Sequence, residues 1–239
     1  MRNSDSWKPT SFILKKGNYV PNLSAVYPGS LHVASLQIKE YYTLFNKYCS
    51  GKMLDCGCGK VPYFEMLSKN VHQHYCVDYS NNPDVLNLLD EQIDLNSDFQ
   101  LKEQNFDSIL LSDVVAHIQD TEALMKKLAE HLKPQGVIVL TTPFVYWMSE
   151  YPVEFVHPTE FALRRWCERA GLEVEYLVSY GGYADVLLDT LNKGMTGKLS
   201  NRLFRLLASV VKKTSWYKNK NEKTKYSYPL GYALVARKT

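Results

Sequence analysis

Long apolar runs are missing from this chain of 239 residues. No stretch approaches the roughly 20 consecutive apolar residues that a membrane-spanning helix requires, so the sequence predicts no membrane span. Residues 1–9 contain no apolar core, and we therefore expect no signal peptide and a cytoplasmic location. Hydrophobic residues make up 45% of the chain and charged residues 22%. That balance is typical of a soluble globular protein, and the length suits one α/β domain with a sizeable core.

Cysteines are few and odd in number, with five in the whole chain. A chain of this size does not need disulfides to fold, so we expect free thiols. Cys56 and Cys58 lie inside a glycine turn, and His72 and His74 alternate at the start of a predicted strand. No further pair of potential ligands has metal spacing, so the sequence predicts no metal site.

Acidic residues are almost absent from the C-terminal part. Residues 193–239 contain 12 of the 28 Lys and Arg but only Glu222 among the 25 acids, which gives +11 there and −8 elsewhere. This asymmetry predicts a surface attracted to an anion. The same part carries an apolar stripe at helical spacing: Leu199, Leu203, Leu206, Leu207 and Val210. Arg202, Arg205, Ser209 and Lys212 lie on another face. This basic amphipathic helix could pack on its own domain, cover an acceptor as a lid, or contact a membrane surface.

Strand and helix patterns alternate through most of the chain. Strands are predicted at residues 52–54, 74–78, 92–95, 107–112, 137–141, 174–180 and 230–236. One helix is predicted from Leu31, with Tyr41 in its apolar stripe, and two more are predicted to be capped by Thr121 and Thr159. Residues 133–136 are predicted to form a turn. This order predicts a Rossmann-like α/β fold: a doubly wound, seven-stranded, mainly parallel sheet with an antiparallel C-terminal strand. We divide the single domain into an irregular N-terminal arm (1–29), a core (30–180), a helical insertion or lid (181–228) and the last strand (229–239).

A glycine turn follows the first strand. Gly57 and Gly59 let the backbone approach a ligand, and the helix after them offers free N–H groups. Asp78 ends the second strand about twenty residues later, where a carboxylate can accept hydrogen bonds from ribose hydroxyls. Strand, turn and acid together predict a site for a nucleotide-like ligand.

The segment of residues 143–158 is rich in aromatic and polar side chains. It contains Phe144, Tyr146, Trp147, Tyr151 and Phe155, with Glu150, Glu154 and His157 among them. Ligands of such sheets bind outside the carboxyl ends of the strands, so this loop is predicted to form one wall of a binding site. Packing of its aromatic residues into the core is the alternative.

Four segments, in this order, resemble the class I S-adenosylmethionine-dependent methyltransferases. They are residues 54–59 (LDCGCG), 77–78 (VD), 106–120 (FDSILLSDVVAHIQD) and 132–143 (LKPQGVIVLTTP). Residues 61–63 (VPY) replace a further glycine of many relatives and are similar to a subgroup often encoded with bacterial surface-polysaccharide genes. Ala116 replaces a glutamate that is common before the His.

The resemblance implies S-adenosylmethionine as cofactor, S-adenosylhomocysteine as product, and roles for particular residues. Asp55, Gly57 and Gly59 would line the methionine part, with Cys56 and Cys58 between them. Asp78 would bind the ribose, Asp94 and Leu95 the adenine, and Ser112 would flank the methyl donor. The neighbouring Tyr79 would also be a cofactor-binding residue.

The reaction implied is methyl transfer to a hydroxyl, or as second choice an amine, of a sugar or other small molecule, with a lipid-linked form as one option. His117 is our first candidate for the base, because imidazole titrates near neutrality. Asp113, Glu150 and His157 follow. A nicotinamide oxidoreductase and a non-catalytic cofactor-binding protein are the alternatives. Nucleic acid is not expected as a partner, because no Asn-Pro-Pro-Tyr-like motif follows the fourth strand.

Overall fold

The computed structural model describes residues 11–67, 69–195 and 197–239, and its centre is one seven-stranded sheet. The strands are β3 (Gly51–Cys56), β4 (Val71–Asp78), β5 (Glu91–Gln92), β6 (Phe106–Ser112), β7 (Leu132–Pro143), β8 (Leu172–Tyr180) and β9 (Gly231–Lys238). Their order is β5-β4-β3-β6-β7-β9-β8. β9 runs antiparallel to both β7 and β8, and the pairs from β5 to β7 are parallel. The predicted fold class is confirmed.

Helices cover both faces of the sheet. The longer ones are α1 (Leu31–Tyr48), α4 (Thr121–His131) and α5 (Glu160–Arg169), and the short ones are α2 (Phe64–Leu67) and α3 (Pro83–Leu86). Along the central strands, successive side chains enter different cores. Met53 and Leu110 pack on the α1 side, whereas Leu54 and Ile109 pack on the α4 side. Strands covered on both faces form nearly continuous apolar runs, which explains their lack of alternation.

Local structure differs from the predictions in three places. The arm was predicted to be irregular, but β1 (Phe12–Lys15) and β2 (Asn18–Pro21) form an antiparallel hairpin. Lys16 and Gly17, both at positive φ, make its two-residue turn. Helix α4 is capped by Asp120, whose side chain accepts from Ala123 N, and not by Thr121. The turn predicted at residues 133–136 belongs to β7. Residues 1–10 of the arm lie outside the described residues.

The described residues of the insertion form three helices: α6 (Tyr183–Lys193), α7 (Lys198–Val211) and α8 (Ser215–Thr224). Helix α7 packs on its own domain, but through Phe204 and Ala208, which are buried against α6 and α8. The predicted leucine stripe is on the other side and is exposed. No helix among the residues described has the length and apolar character needed to cross a membrane.

Phe45 tests the core on the α1 side. Its ring is fully buried, with its centroid 5.6 Å from that of Tyr41 and 5.2 Å from that of Tyr63. Replacing Phe45 with Ala should lower the free energy of unfolding by about 3–5 kcal/mol in urea denaturation, because it leaves a cavity. The matched change Phe161→Ala removes a ring that is 73% exposed, and should alter stability by less than about 0.5 kcal/mol. Equal effects would contradict this core.

Candidate active site

The glycine turn is fastened to the end of β4. The N–H groups of Gly57 and Cys58 donate to Val77 O over 2.8 and 3.2 Å. Gly59 N–H donates to Asp78 Oδ2 over 2.9 Å, and Ser80 N–H donates to Asp78 Oδ1 over 2.9 Å. The acid predicted to bind ribose therefore also shapes the turn. Each of its oxygens keeps a lone pair for a further donor.

Gly57 cannot be replaced without strain. Its φ is +66°, a conformation that side chains disfavour, and a Cβ there would lie 2.5 Å from Val114 Cγ2. Gly59 also has a positive φ, of +51°, but a Cβ there would meet nothing within 4 Å. The turn therefore leaves open space on one side and presses against Val114 on the other.

A cavity of about 500 Å³ lies at this turn, and we call it the turn cavity. Seven of the residues predicted to bind the cofactor line it: Gly57, Gly59, Asp78, Tyr79, Asp94, Leu95 and Ser112. Ile93 and Ile118 add apolar walls that suit a flat base, while Asp78 and Asp94 offer acceptors for hydroxyl and amino groups. The size falls in the range of small-molecule sites. These residues fit a nucleoside cofactor such as S-adenosylmethionine.

Three predicted cofactor residues do not line this cavity. Asp55, Cys56 and Cys58 are buried behind the turn, and Asp55 Oδ2 lies 2.8 Å from His74 Nε2. Burial lowers the pKa of His74, but its hydrogen bonds and charge interactions with Asp55 and Cys76 outweigh burial and raise it to about 10. His74 and Asp55 thus form a buried ion pair beneath the turn. Binding of the cofactor by Asp55, Cys56 and Cys58 stays a prediction.

Cys76 lies next to the Asp55–His74 pair, and all three side chains carry atoms that can bind a metal. The donor atoms of Asp55, His74 and Cys76 all lie within 4.8 Å of one another. The 2.8 Å contact between Asp55 Oδ2 and His74 Nε2 accounts for the close approach of two of these atoms. The cluster therefore reads as electrostatic support for the turn.

A second cavity, of about 330 Å³, lies between the arm, α1 and the segment after β7, and we call it the arm cavity. Its walls include Phe12, Tyr63, Tyr146 and Tyr180. Asp113 and His117 line both the arm cavity and the turn cavity. Among the described residues, no other lines both. The two cavities therefore share these two side chains as a common wall.

Asp113 is held by a chain of hydrogen bonds. Tyr41 Oη donates to Asp113 Oδ1 over 3.1 Å, and Thr141 Oγ1 lies 3.4 Å from the same oxygen. Tyr41 Oη and Tyr180 Oη are 3.3 Å apart, and Gln37 Nε2 donates to both. Burial raises the pKa of Asp113 to about 6, although the bonds from Tyr41 and Thr141 oppose the shift. Its φ of +57° is strained for a residue with a side chain.

His117 is oriented by a backbone carbonyl. It ends a short 3₁₀ helix, Val115–His117, and its Nδ1 lies 2.8 Å from Val153 O. A carbonyl only accepts, so Nδ1 carries the hydrogen and the neutral ring keeps Nε2 as an acceptor. Asn96 Nδ2 donates to His117 O over 3.0 Å and fixes the backbone. This tautomer is the one that a base requires.

His157 lines neither cavity. Its Nε2 lies 2.7 Å from Glu154 Oε1, while Glu154 Oε2 accepts from Ser149 N over 2.7 Å. Burial raises the pKa of Glu154, but the bonds from His157 and from the backbone of Glu150 and Ser149 outweigh it and leave the pKa below the usual value. His157 therefore holds the loop after β7, and its role as a base stays a prediction.

The same loop contributes to both cavities, but not mainly through its aromatic residues. Tyr146, Ser149 and Glu154 line the arm cavity, and Glu150 lines the turn cavity. Tyr151 is 83% exposed. The predicted aromatic wall is thus made by Tyr146 and by the polar groups that follow it.

Sequence reasoning missed the residues around Asp113. Tyr41 was assigned only to the apolar stripe of α1, and Gln37 and Tyr180 were not considered. A tyrosine in a buried stripe carries a hydroxyl that needs a partner, and that requirement was the available signal. That requirement does not identify the partner, because Asp113 is 72 residues away from Tyr41 in the sequence.

The comparison with protein families decides the class of enzyme. Residues 38–177, more than half of the chain, match a family model described as a methyltransferase domain. The chain belongs to this methyltransferase family. Its cofactor is S-adenosylmethionine, and the alternative of a nicotinamide oxidoreductase is wrong.

Named relatives of the methyltransferase are distant. It is 28% identical over 165 residues to a ubiquinone biosynthesis O-methyltransferase of Coxiella burnetii, covering 57% of this chain and 68% of that protein. It is 30% identical over 146 residues to one of Bradyrhizobium diazoefficiens, covering 58% of this chain and 56% of that protein. An S-adenosylmethionine-dependent methyltransferase structure from Mesorhizobium loti aligns with a TM-score of 0.55 at 14% identity, over 86% of this chain and 99% of that one. This likeness concerns the fold.

Gly57→Ala tests the turn of the methyltransferase. The added Cβ strains φ and pushes against Val114, so the affinity for S-adenosylhomocysteine should fall at least about tenfold in calorimetric titration, equivalent to about 1.4 kcal/mol. Gly17→Ala is the matched control, because Gly17 also has a positive φ, of +78°, but lies in the arm hairpin with nothing within 4 Å. Unchanged affinity in Gly57→Ala would remove the turn from the binding site.

Proposed function

We propose that this methyltransferase moves the methyl group of S-adenosylmethionine to a hydroxyl of a sugar or another small molecule, and as second choice to an amine. The observation that carries the proposal is the meeting of the two cavities at Asp113 and His117. The cofactor would occupy the turn cavity and the acceptor the arm cavity. We further propose a cytoplasmic location and, for a lipid-linked acceptor, work at the membrane surface.

S-adenosylmethionine, when bound, supplies a methyl group activated by its positively charged sulfur. The protein then has to align the acceptor with that methyl group and keep water away. The arm hairpin, α1 and the loop after β7 enclose the arm cavity and can do both. No covalent nucleophile is needed, which agrees with the burial of all five cysteines.

The charges of the arm cavity disfavour an anionic acceptor. Asp113 and Glu154 line it, and among the described residues no Lys or Arg does. A phosphate or carboxylate placed there would be repelled. Neutral hydroxyls, in contrast, can donate to Asp113 and be oriented by Tyr180 and Gln37. The relatives named as O-methyltransferases also support oxygen as the methylated atom.

We assign the proton transfer to His117. Its Nδ1 bond to Val153 O leaves Nε2 to take the hydroxyl proton as the methyl group arrives. Asp113, when ionised, accepts a hydrogen bond from the acceptor and stabilises the charge that forms on His117. Tyr41 and Thr141 position this carboxylate.

The proposal is tested by product analysis. The enzyme is incubated with isotopically labelled S-adenosylmethionine and candidate acceptors, namely neutral sugars, surface-glycan precursors with and without a lipid, phenols and amines. We expect mass spectrometry to find the label on a hydroxyl oxygen of a sugar-containing acceptor. Label found only on nitrogen would overturn the first choice of a hydroxyl, and label found only on a phenol without sugar would exclude a sugar as the acceptor. Absence of transfer to every acceptor, with cofactor binding intact, would favour the non-catalytic alternative.

His117→Ala should lower kcat for methyl transfer at least about 100-fold, because the base is lost. His72→Ala is the matched control, since His72 is an exposed residue of β4 that lines neither cavity. Full turnover by His117→Ala would exclude His117 as the base. His157→Ala distinguishes the other histidine, and we expect a smaller loss through the loop that it holds.

The pKa of Asp113 predicts a pH dependence. Because its folded pKa is raised to about 6, the carboxyl group is neutral at low pH and ionises as the pH passes through about 6. The kcat should therefore rise over that interval. The Asp113→Asn variant should lack the part of the kcat increase that comes from ionisation of Asp113. Its kcat should be lower than that of the wild type at every pH. An identical acidic limb in wild type and Asp113→Asn would show that another group titrates.

A further inference from the structure

Helix α7 presents its apolar stripe to solvent. Leu203, Leu206, Leu207 and Val210 are 57–64% exposed, and Leu199 is 80% exposed. Trp216, at the start of α8, is 54% exposed. The helix packs on the domain through Phe204 and Ala208, and the stripe lies outside that buried cluster. A contiguous exposed apolar surface of this kind marks a contact site for an apolar partner, such as a membrane or another protein.

A groove lies beside this stripe, between the arm hairpin and α7. It has a volume of about 720 Å³ and we call it the α7 groove. Its apolar walls come from Ile13, Val20 and Leu23 on the arm and from Phe204 and Ala208 on α7. The apolar walls from the arm and from α7 together make a channel suited to an alkyl chain.

The cations of the α7 groove are not matched by acidic residues on its described walls. Lys15, Arg205 and Lys212 line it, whereas no Asp or Glu does among the residues described. In that same part of the chain, none of the three has a carboxylate within salt-bridge distance. Burial lowers the pKa of Lys212, although the charge of Asp185 partly offsets this. An anion in the groove would stabilise these charges.

Helix geometry places the cations next to the stripe. Arg205 and Lys212 are seven residues apart, about 10 Å along the axis and on one flank of α7. With a rotation of about 100° per residue, Arg202 and Lys213 lie between that flank and the leucines. A helix with leucines on one side and cations beside them matches helices that lie in a membrane interface.

We propose that the leucine stripe and the α7 groove form a docking site for an anionic membrane. The leucines enter the interface, and Lys15, Arg205 and Lys212 bind lipid phosphates. A second copy of the chain is a poor occupant, because its own Lys15, Arg205 and Lys212 would face the same cations and be repelled by them. A nucleic acid would use the cations but would leave the leucines in water.

The site adjoins the arm cavity. Ser24 and Leu31 line the α7 groove, while their sequence neighbours Ala25 and Ser30 line the arm cavity. Docking would therefore bring the mouth of the arm cavity close to lipid. A lipid-linked acceptor gives the docking a purpose, but the docking rests on α7 and the groove alone.

The test is sedimentation of the full chain with vesicles of phosphatidylcholine, with or without phosphatidylglycerol. We expect binding only with the anionic lipid and a decrease at high salt. Leu203→Ser/Leu206→Ser and Arg205→Gln/Lys212→Gln should each weaken it at least about tenfold. Phe161→Ser and Lys39→Gln, an exposed apolar and an exposed basic residue outside the groove, are the matched controls and should bind as wild type.

Equal binding to both vesicle types, or no binding to either, would overturn the proposal. So would a dimer in solution that Leu203→Ser/Leu206→Ser dissociates, because the stripe would then be a contact between copies. Methyl transfer to a water-soluble acceptor is measured in parallel and should be unchanged in both double variants. Its absence in the wild type, with vesicle binding intact, would count against the proposed function and not against the docking site.

Discussion

The hydrogen bond from Tyr41 to Asp113 joins the elements that make the candidate site. Tyr41 belongs to α1, Asp113 follows β6, and the bond continues to Thr141 of β7 and Tyr180 of β8. Each tyrosine hydroxyl has one proton, so donation by Tyr41 to Asp113 leaves Tyr180 to donate to Tyr41. Gln37 donates to both oxygens and completes the chain. The carboxylate that separates the turn cavity from the arm cavity is thereby held, in a strained backbone, by helix and sheet together.

The half of the site around the glycine turn was predictable because its determinants are local. Gly57 and Gly59 adopt backbone angles that favour glycine, and they directly follow a buried strand. Asp78 ends the next strand in the sheet, and parallel strands bring their carboxyl ends to one edge. The alternation of strands and helices predicted the sheet for the same reason. Asp55 is the exception: its place in the motif suggested the ligand, but its side chain faces His74 beneath the turn.

Long-range contacts explain what the sequence did not reveal. The arm cavity is assembled from residues of the arm, α1, β6, β8 and the loop after β7, and periodicity gives no information on which hydroxyl meets which carboxylate. The orientation of α7 is a second case. An apolar stripe normally predicts the buried face. Here Phe204 and Ala208, together with Tyr217 of α8, supply enough contact with α6, so the leucines are left outside. Packing in space, not the pattern, selects the face.

The central claim is that donor and acceptor meet at Asp113 and His117, each in its own cavity. A crystal structure with S-adenosylhomocysteine and a sugar-containing acceptor tests it most directly. We expect the adenine against Ile93, Leu95 and Ile118, the ribose hydroxyls on Asp78, and the sulfur facing an acceptor hydroxyl beside His117 Nε2. A cofactor in the turn cavity with its sulfur directed away from the arm cavity, or an acceptor bound elsewhere, would contradict it.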